Sequence, residues 1–259
     1  MAYKSYDISY RRGQSEPFKV SRSKIDFFLE CPRCFWLDRV LAIKRPNTPP
    51  FQINKAVDEL LKNEFDIYRA KGEPHPYMTN IGLQAVPYQH KDLDKWRHNF
   101  TGIQTVHKPT NLLVFGAVDD IWINEAGELI VVDYKATSKN KPITDLDPPG
   151  GWHDAYRRQM EVYQWLLRQN GFKVSDTGYF VYANGIADAK RFDEKVVFKV
   201  NTFPYTGDSS WVDGVLEQIK QTLEQPTIPK NSPSCTYCSY TAERLQLAWD
   251  YMKQKNTDK

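Results

Sequence analysis

Three charged residues near the middle of the chain, Asp119, Asp133 and Lys135, have the types and spacing to hold a divalent cation. They lie in Leu112 to Thr137, LLVFGAVDDIWINEAGELIVVDYKAT, two apolar runs around a short loop. Runs rich in Val, Ile, Phe and Trp on either side of a turn predict a β-hairpin. With the turn at Glu125-Ala126-Gly127, Gly127 supplies the left-handed residue that a three-residue loop needs. Asn124 then faces Glu128, and the same ladder sets Asp119 opposite Asp133. Opposed residues share a face with β-carbons about 4.5–5.5 Å apart. Lys135, two residues past Asp133, points to that face as well.

Carboxylates this close repel, and burying them is costly unless positive charge sits between them. A hard cation such as Mg²⁺ or Mn²⁺, held by carboxylate and backbone oxygens, resolves the conflict. Lys135 would then hold an attacking water or balance charge on a phosphate. The plainer alternative is a surface Asp–Asp–Lys cluster on a solvated sheet. Asp120, by parity, points the other way and reads as structural.

The chain's four cysteines form two C-x-x-C pairs, Cys31/Cys34 and Cys235/Cys238, about 200 residues apart. Each pair can bite one metal, and two pairs complete a tetrahedral thiolate set. Such a site would clip an N-terminal helical segment to the C-terminus, a structural role. An iron–sulfur cluster and zinc both suit four thiolates, and a metal-free cluster is the remaining possibility. A dithiol redox motif follows a strand and opens a helix. Cys31-Pro-Arg-Cys34 has no strand before it, so thiol chemistry is the weakest reading.

The elements that must position these groups follow from pattern. Residues 1–20 read as an extended, solvated arm carrying Arg11, Arg12 and Lys19. Ser21 to Leu41 reads as a helix broken at Pro32, and Pro46 to Pro50 as a loop. Ile53 to Ala70 is a second helix with Asp58 and Glu64 among its acids. Residues 71–110 give weak strand signals near Ala85 and Ile103, and His75, His90, His98 and His107 there read as surface or groove residues, not metal ligands. A loop from Ser138 to Trp152 includes Pro142 and the acids Asp145 and Asp147, expected to be mobile and solvated. Trp152 to Asn170 is a helix with Gln159 and Tyr163 one turn apart, and Arg157 and Arg158 nearby are placed to touch a phosphate backbone. Strands at Thr177–Tyr182 and Lys195–Asn201 and helices at Trp211–Gln225 and Ala242–Lys255 complete the chain.

Gly116-Ala-Val-Asp119 followed by Asp133-Tyr134-Lys135 resembles the core motif of PD-(D/E)XK nucleases. Gln159-Met-Glu-Val-Tyr163 resembles the Q-x-x-x-Y motif of the RecB-type branch, which includes CRISPR-adaptation nucleases and the AddB nuclease domain. The likeness runs roughly from Ser21 to Tyr240. It implies an α/β fold, a restriction-endonuclease-like core in which a mixed central sheet is flanked by helices, with the N- and C-terminal segments joined at the four cysteines. It also implies one nuclease domain over 1–259: the arm 1–20, an N-terminal helical region 21–110, a catalytic α/β core 111–202 and a helical, cysteine-containing region 203–259. The implied metal ligands are Asp119, Asp133, the Tyr134 carbonyl and Asp58, which stands where relatives carry a His or an acid; Glu64 competes for that place. Lys135 would orient the water or the scissile phosphate, and Gln159 and Tyr163 would hold the substrate. Related nucleases often carry an iron–sulfur cluster with one early and three late cysteines; the last late position here is Arg244, which leaves Cys34 as the fourth ligand.

At 259 residues, with 41% hydrophobic and 26% charged residues, the chain suits one substantial domain. Its net charge of +3 permits a nucleic-acid partner without demanding one. A polar N-terminus and the lack of a long apolar run argue against a signal peptide and a membrane span, so a cytoplasmic protein is expected. The expected function is a Mg²⁺- or Mn²⁺-dependent DNA nuclease, end-processing on single strands, in repair, recombination or CRISPR adaptation, with possible protein partners. The alternative is a non-catalytic nucleic-acid-binding module of the same fold.

Overall fold

The computed structural model describes residues 9–46, 51–141, 143–151 and 153–257. Residues 1–8 of the expected arm, 47–50 of the Pro-rich loop, Pro142 and Trp152 lie outside the described residues. The elements run β1 (Phe18–Ser21), α1 (Arg22–Glu30), α2 (Pro32–Val40), α3 (Gln52–Lys71), α4 (Pro76–Thr79), β2 (Ala85–Pro87), α5 (Leu93–Arg97) and β3 (Ile103–His107). There follow β4 (Leu112–Gly116), β5 (Asp120–Asn124), β6 (Leu129–Thr137), α6 (Asp154–Gln169), β7 (Thr177–Gly185), β8 (Phe198–Thr206), α7 (Trp211–Glu224) and α8 (Thr236–Thr257).

Two mixed sheets result. The larger has strand order β2-β5-β6-β7-β8, the smaller β1-β4-β3. Strands β6 and β7 are parallel, and α6 is the crossover between them, as a parallel pair requires. The β5–β6 hairpin has the register expected from its turn: Asp120 pairs Val132 and Ile123 pairs Leu129, Asn124 N donates to the Glu128 carbonyl, and Gly127 has φ +73°.

Alternation along β5 and β6 divides the core. Ile121, Val131 and Phe180 face α6, packing with Met160, Leu166 and Leu167. Trp122, Ile130, Val132 and Tyr134 face α3, packing with Leu61 and Phe65. Fully burying one such side chain contributes about 1.5–3 kcal/mol.

Three sequence expectations change. The apolar run Leu112–Asn124 is two strands, split at Ala117-Val118-Asp119: β4 joins the small sheet and only β5 joins the hairpin. The expected arm ends early, because Phe18–Ser21 is a strand parallel to β4, and Tyr10, Phe18 and Val20 are buried. The loop after β6 is fastened down. Ile143 and Leu146 are buried, Asn184 bonds both the N–H and the C=O of Lys139, and Asn201 donates to the Ile143 carbonyl at 3.1 Å. Asp145 turns back to cap the Leu146 amide, and Asp147's own amide donates to His153 Nδ1 at 2.8 Å. A four-residue strand and a loop pinned by distant side chains leave no periodic signal to read.

Among the described residues, no helix is long and apolar enough to cross a membrane.

Candidate active site and thiolate centre

Asp133 lies in the middle of β6 and is fully buried, with no exposed surface. Gln159, one turn from Tyr163 on α6, donates to Asp133 Oδ1 at 2.7 Å. Lys135 forms an ion pair with Oδ2, yet Oδ2 makes no well-aligned hydrogen bond. The Lys135 ammonium is also held 4.5 Å above the Tyr156 ring. Burial pushes the Asp133 carboxyl up to about 7, against the pull of Lys135 and with a further push from Asp119.

Asp119 stands just before β5, half-buried, and its Oδ2 accepts from the Tyr134 amide at 2.9 Å. On α3, the Asp58 carboxyl is raised by burial and by the charge of Asp119, while Lys62 sits 2.6 Å from its Oδ2. Glu64 is elsewhere, 2.9 Å from His75 Nε2. Of the two competing acids, the structure therefore brings Asp58 to Asp119. Tyr134 contributes its main chain here; its hydroxyl lies on the opposite face.

Gln159 donates to Asp133 Oδ1 and, at 3.4 Å, to the Tyr163 hydroxyl, which holds the carboxylate against α6. Tyr163 is buried, and burial raises its hydroxyl to about 12. Arg158 and Arg157 are engaged by Asp26 at 2.5 Å and Asp154 at 2.9 Å. His75 and His107 are buried, correcting their assignment to the surface. His75 stacks on Phe65 with centroids 4.1 Å apart.

Sequence reasoning missed Arg22. The first residue of α1, it sits close enough for its charge to favour ionised Asp133 and to pull the Tyr163 hydroxyl down against burial. Gly116 makes room for it: a Cβ there would lie 2.5 Å from the Tyr163 ring and 3.3 Å from the Arg22 Cβ. The G-A-V-D spacing was visible, but the reason for its glycine needed the parallel β1–β4 pairing.

The four cysteines converge. Cys34 Sγ is 3.4 Å from Cys238 and 3.7 Å from Cys235, Cys31 Sγ is 3.8 Å from Cys238, and all four sulfurs lie within 4.8 Å of one another. None is in a disulfide. Burial opposes ionisation of Cys31, but the amides of Cys34 and Ser232 and the neighbouring thiols outweigh it and bring this thiol down to about 7. Arg45 donates to Cys235 Sγ at 3.3 Å and adds positive charge beside the sulfurs. Tetrahedral ligands about 2.3 Å from one metal ion stand about 3.8 Å apart, the spacing seen here. Among the described residues this is the only tight group of three or more Cys, His, Asp or Glu. The carboxylates are more open, with Lys62 on Asp58 and Lys135 on Asp133.

A buried carboxylate, a second acid facing it and a lysine on the same strand, set on a mixed sheet between helices, define a class of phosphodiester-cleaving folds. A profile of the PD-(D/E)XK nuclease superfamily matches residues 19–242, and the chain belongs to that superfamily. No curated protein matches it. Among solved structures it is similar to SSO0001 with 14% identity and a TM-score of 0.38, 88% of this chain covering 86% of that one. It is also similar to the "Putative exonuclease" from Eubacterium rectale with 14% identity and a TM-score of 0.40, at 86% and 87% coverage.

Proposed function

We propose that the chain is a metal-dependent deoxyribonuclease of the RecB-like type, hydrolysing phosphodiester bonds at single-stranded ends. The observation that carries this reading is Asp133: a fully buried carboxylate held only by Gln159 on Oδ1 and Lys135 on Oδ2, with a second acid beside it. Two neighbouring carboxylates, one of them fully buried, are costly with a single lysine to balance them, and a divalent cation would offset that cost. The donor set suits Mg²⁺ or Mn²⁺ at Asp119, Asp133 and the Tyr134 carbonyl, with Asp58 joining once Lys62 swings off. A bound divalent ion lowers the pKa of water and offsets charge building on the phosphate.

The chain's own groups supply the rest. Gln159 fixes the plane of Asp133. Lys135 orients the water that attacks phosphorus as the bond to the leaving oxygen breaks. Arg22, whose charge acts on both Asp133 and the buried Tyr163 hydroxyl, would hold a phosphate oxygen by a charge-assisted hydrogen bond. At the thiolate centre, the sulfur spacing favours a single ion such as zinc; an iron–sulfur cluster, larger than one ion, would need the sulfurs to spread. Action in repair, recombination or CRISPR adaptation rests on the Q-x-x-x-Y resemblance.

The test is degradation of end-labelled DNA with Mn²⁺. Wild type should cleave, and Asp133→Ala and Lys135→Ala should not while retaining their folded circular dichroism. Cleavage that survives in both variants overturns the assignment, and metal-independent, salt-sensitive binding without cleavage would point to a non-catalytic module.

A further inference from the structure

Past Lys135, strand β6 runs into an open groove of about 640 Å³. That size lies in the range of small-ligand sites. Ala136, Thr137 and Ser138 form its floor. Phe51 and Asn54, at the start of α3, form one side, and the connection from β7 to β8, with Phe192, forms the other. Phe51 is 79% exposed and Phe192 69% exposed. Large aromatic faces left open to water inside a concave surface mark a place where something binds. Two cations, Arg191 and Lys195, also line it; Arg191 is steadied by Asp193 at 2.8 Å.

The α3 wall of the groove and its β6 floor both lead back to the acids. Asn54 donates to the Ala136 carbonyl at 3.2 Å, fastening the α3 wall to the catalytic strand. Asp58, one turn further along α3, is the residue whose carboxyl feels Asp119. A strand threading from the acids along β6 would therefore pass between Phe51 and Phe192. A duplex keeps its base faces stacked inside and offers nothing to these rings. An unpaired strand offers a flat π-face at every nucleotide, and cations at the rim suit its phosphates.

We propose that this groove takes the unpaired bases of a nucleic-acid strand whose backbone lies at Asp119 and Asp133, with Phe51 and Phe192 as stacking platforms. The proposal rests on the nuclease reading and deepens it, giving the site a physical reason to prefer single strands.

The test is fluorescence anisotropy on the full chain in EDTA, with a labelled oligothymidylate and a labelled duplex as probes. Phe51→Ala and Phe192→Ala should each weaken single-strand binding about tenfold, a typical loss for one stacked base, and leave duplex binding alone. Phe192→Tyr, which keeps the flat ring, should restore it. Both side chains are exposed, so thermal midpoints should hold and confirm that the variants are folded. Unchanged single-strand affinity in both Ala variants, or an equal loss on duplex, overturns the proposal and leaves the groove to a peptide or another protein. Because the assay contains no divalent ion, it stands apart from cleavage. Phe-dependent binding without Mn²⁺-dependent hydrolysis would sink the nuclease reading alone.

Discussion

Asp119 and Asp120 are neighbours, yet they serve two acidic centres on opposite faces of the same hairpin. Asp120 is fully buried and fully answered. Arg69 reaches its Oδ1 at 2.5 Å and Arg97 at 2.8 Å, the Tyr134 hydroxyl donates to Oδ2 at 2.8 Å, and the Ile121 amide completes the set. Asp66 braces both arginines from outside. Asp133, equally buried, has only two donors, the Gln159 amide on Oδ1 and the Lys135 ammonium on Oδ2. The same residue type at the same depth is met by four donors on one face and by two on the other. Burial and charge do not separate a structural acid from a catalytic one; the tally of donors does.

Substitution sharpens that contrast. The largest expected effect is Asp133→Asn, which should lower DNA cleavage by roughly a thousandfold or more in a labelled-end assay while stability holds or rises, since a buried charge is removed. Asp120→Ala should do the reverse. Two buried guanidinium groups would lose their counter-ion, costing about 3–5 kcal/mol in urea unfolding. Equal destabilisation by the two substitutions would erase the distinction between the centres.

Cys34→Ser should come next, removing one metal equivalent per chain by elemental analysis and lowering the thermal midpoint by roughly 5–10 °C. Colourless protein with one zinc fits the sulfur spacing; brown protein containing iron would correct it.

A subtler effect is in pH. An unfolded Asp titrates near 3.9, whereas folded Asp133 is held up to about 7. Between those values the folded chain keeps a proton that the unfolded chain has released. This group's contribution is therefore complete below about pH 4 and gone above about pH 7. Thermal midpoints in EDTA should fall across that window, and Asp133→Asn should flatten the slope. Smallest is Arg22→Ala, expected to slow cleavage about tenfold with partial recovery in Arg22→Lys. An unchanged rate would remove Arg22 from the site.

Much of the open centre could be read from the chain because it is local. One turn glycine fixes the ladder, the ladder fixes parity, and parity separates Asp119 from Asp120. The two C-x-x-C pairs announced their own partnership. The closed centre could not be foreseen. Arg69 and Arg97 reach Asp120 from 51 and 23 residues away, and nothing in their surroundings marks them as core residues. Arg22 is hidden for the same reason: it is placed by a four-residue strand whose partner lies about ninety residues on. His75 was misplaced because burial beneath an aromatic stack leaves no pattern in a Pro-rich stretch.

Helix α1 runs from the acid site to the cysteine cluster. Arg22 opens it, Cys31 closes it, and nine residues rising 1.5 Å each make a strut about 13 Å long. A stiff rod transmits whatever grips it. Loosening the sulfur cluster would free the far anchor and let the guanidinium drift from Tyr163, so a centre remote from the acids would still set the geometry beside them.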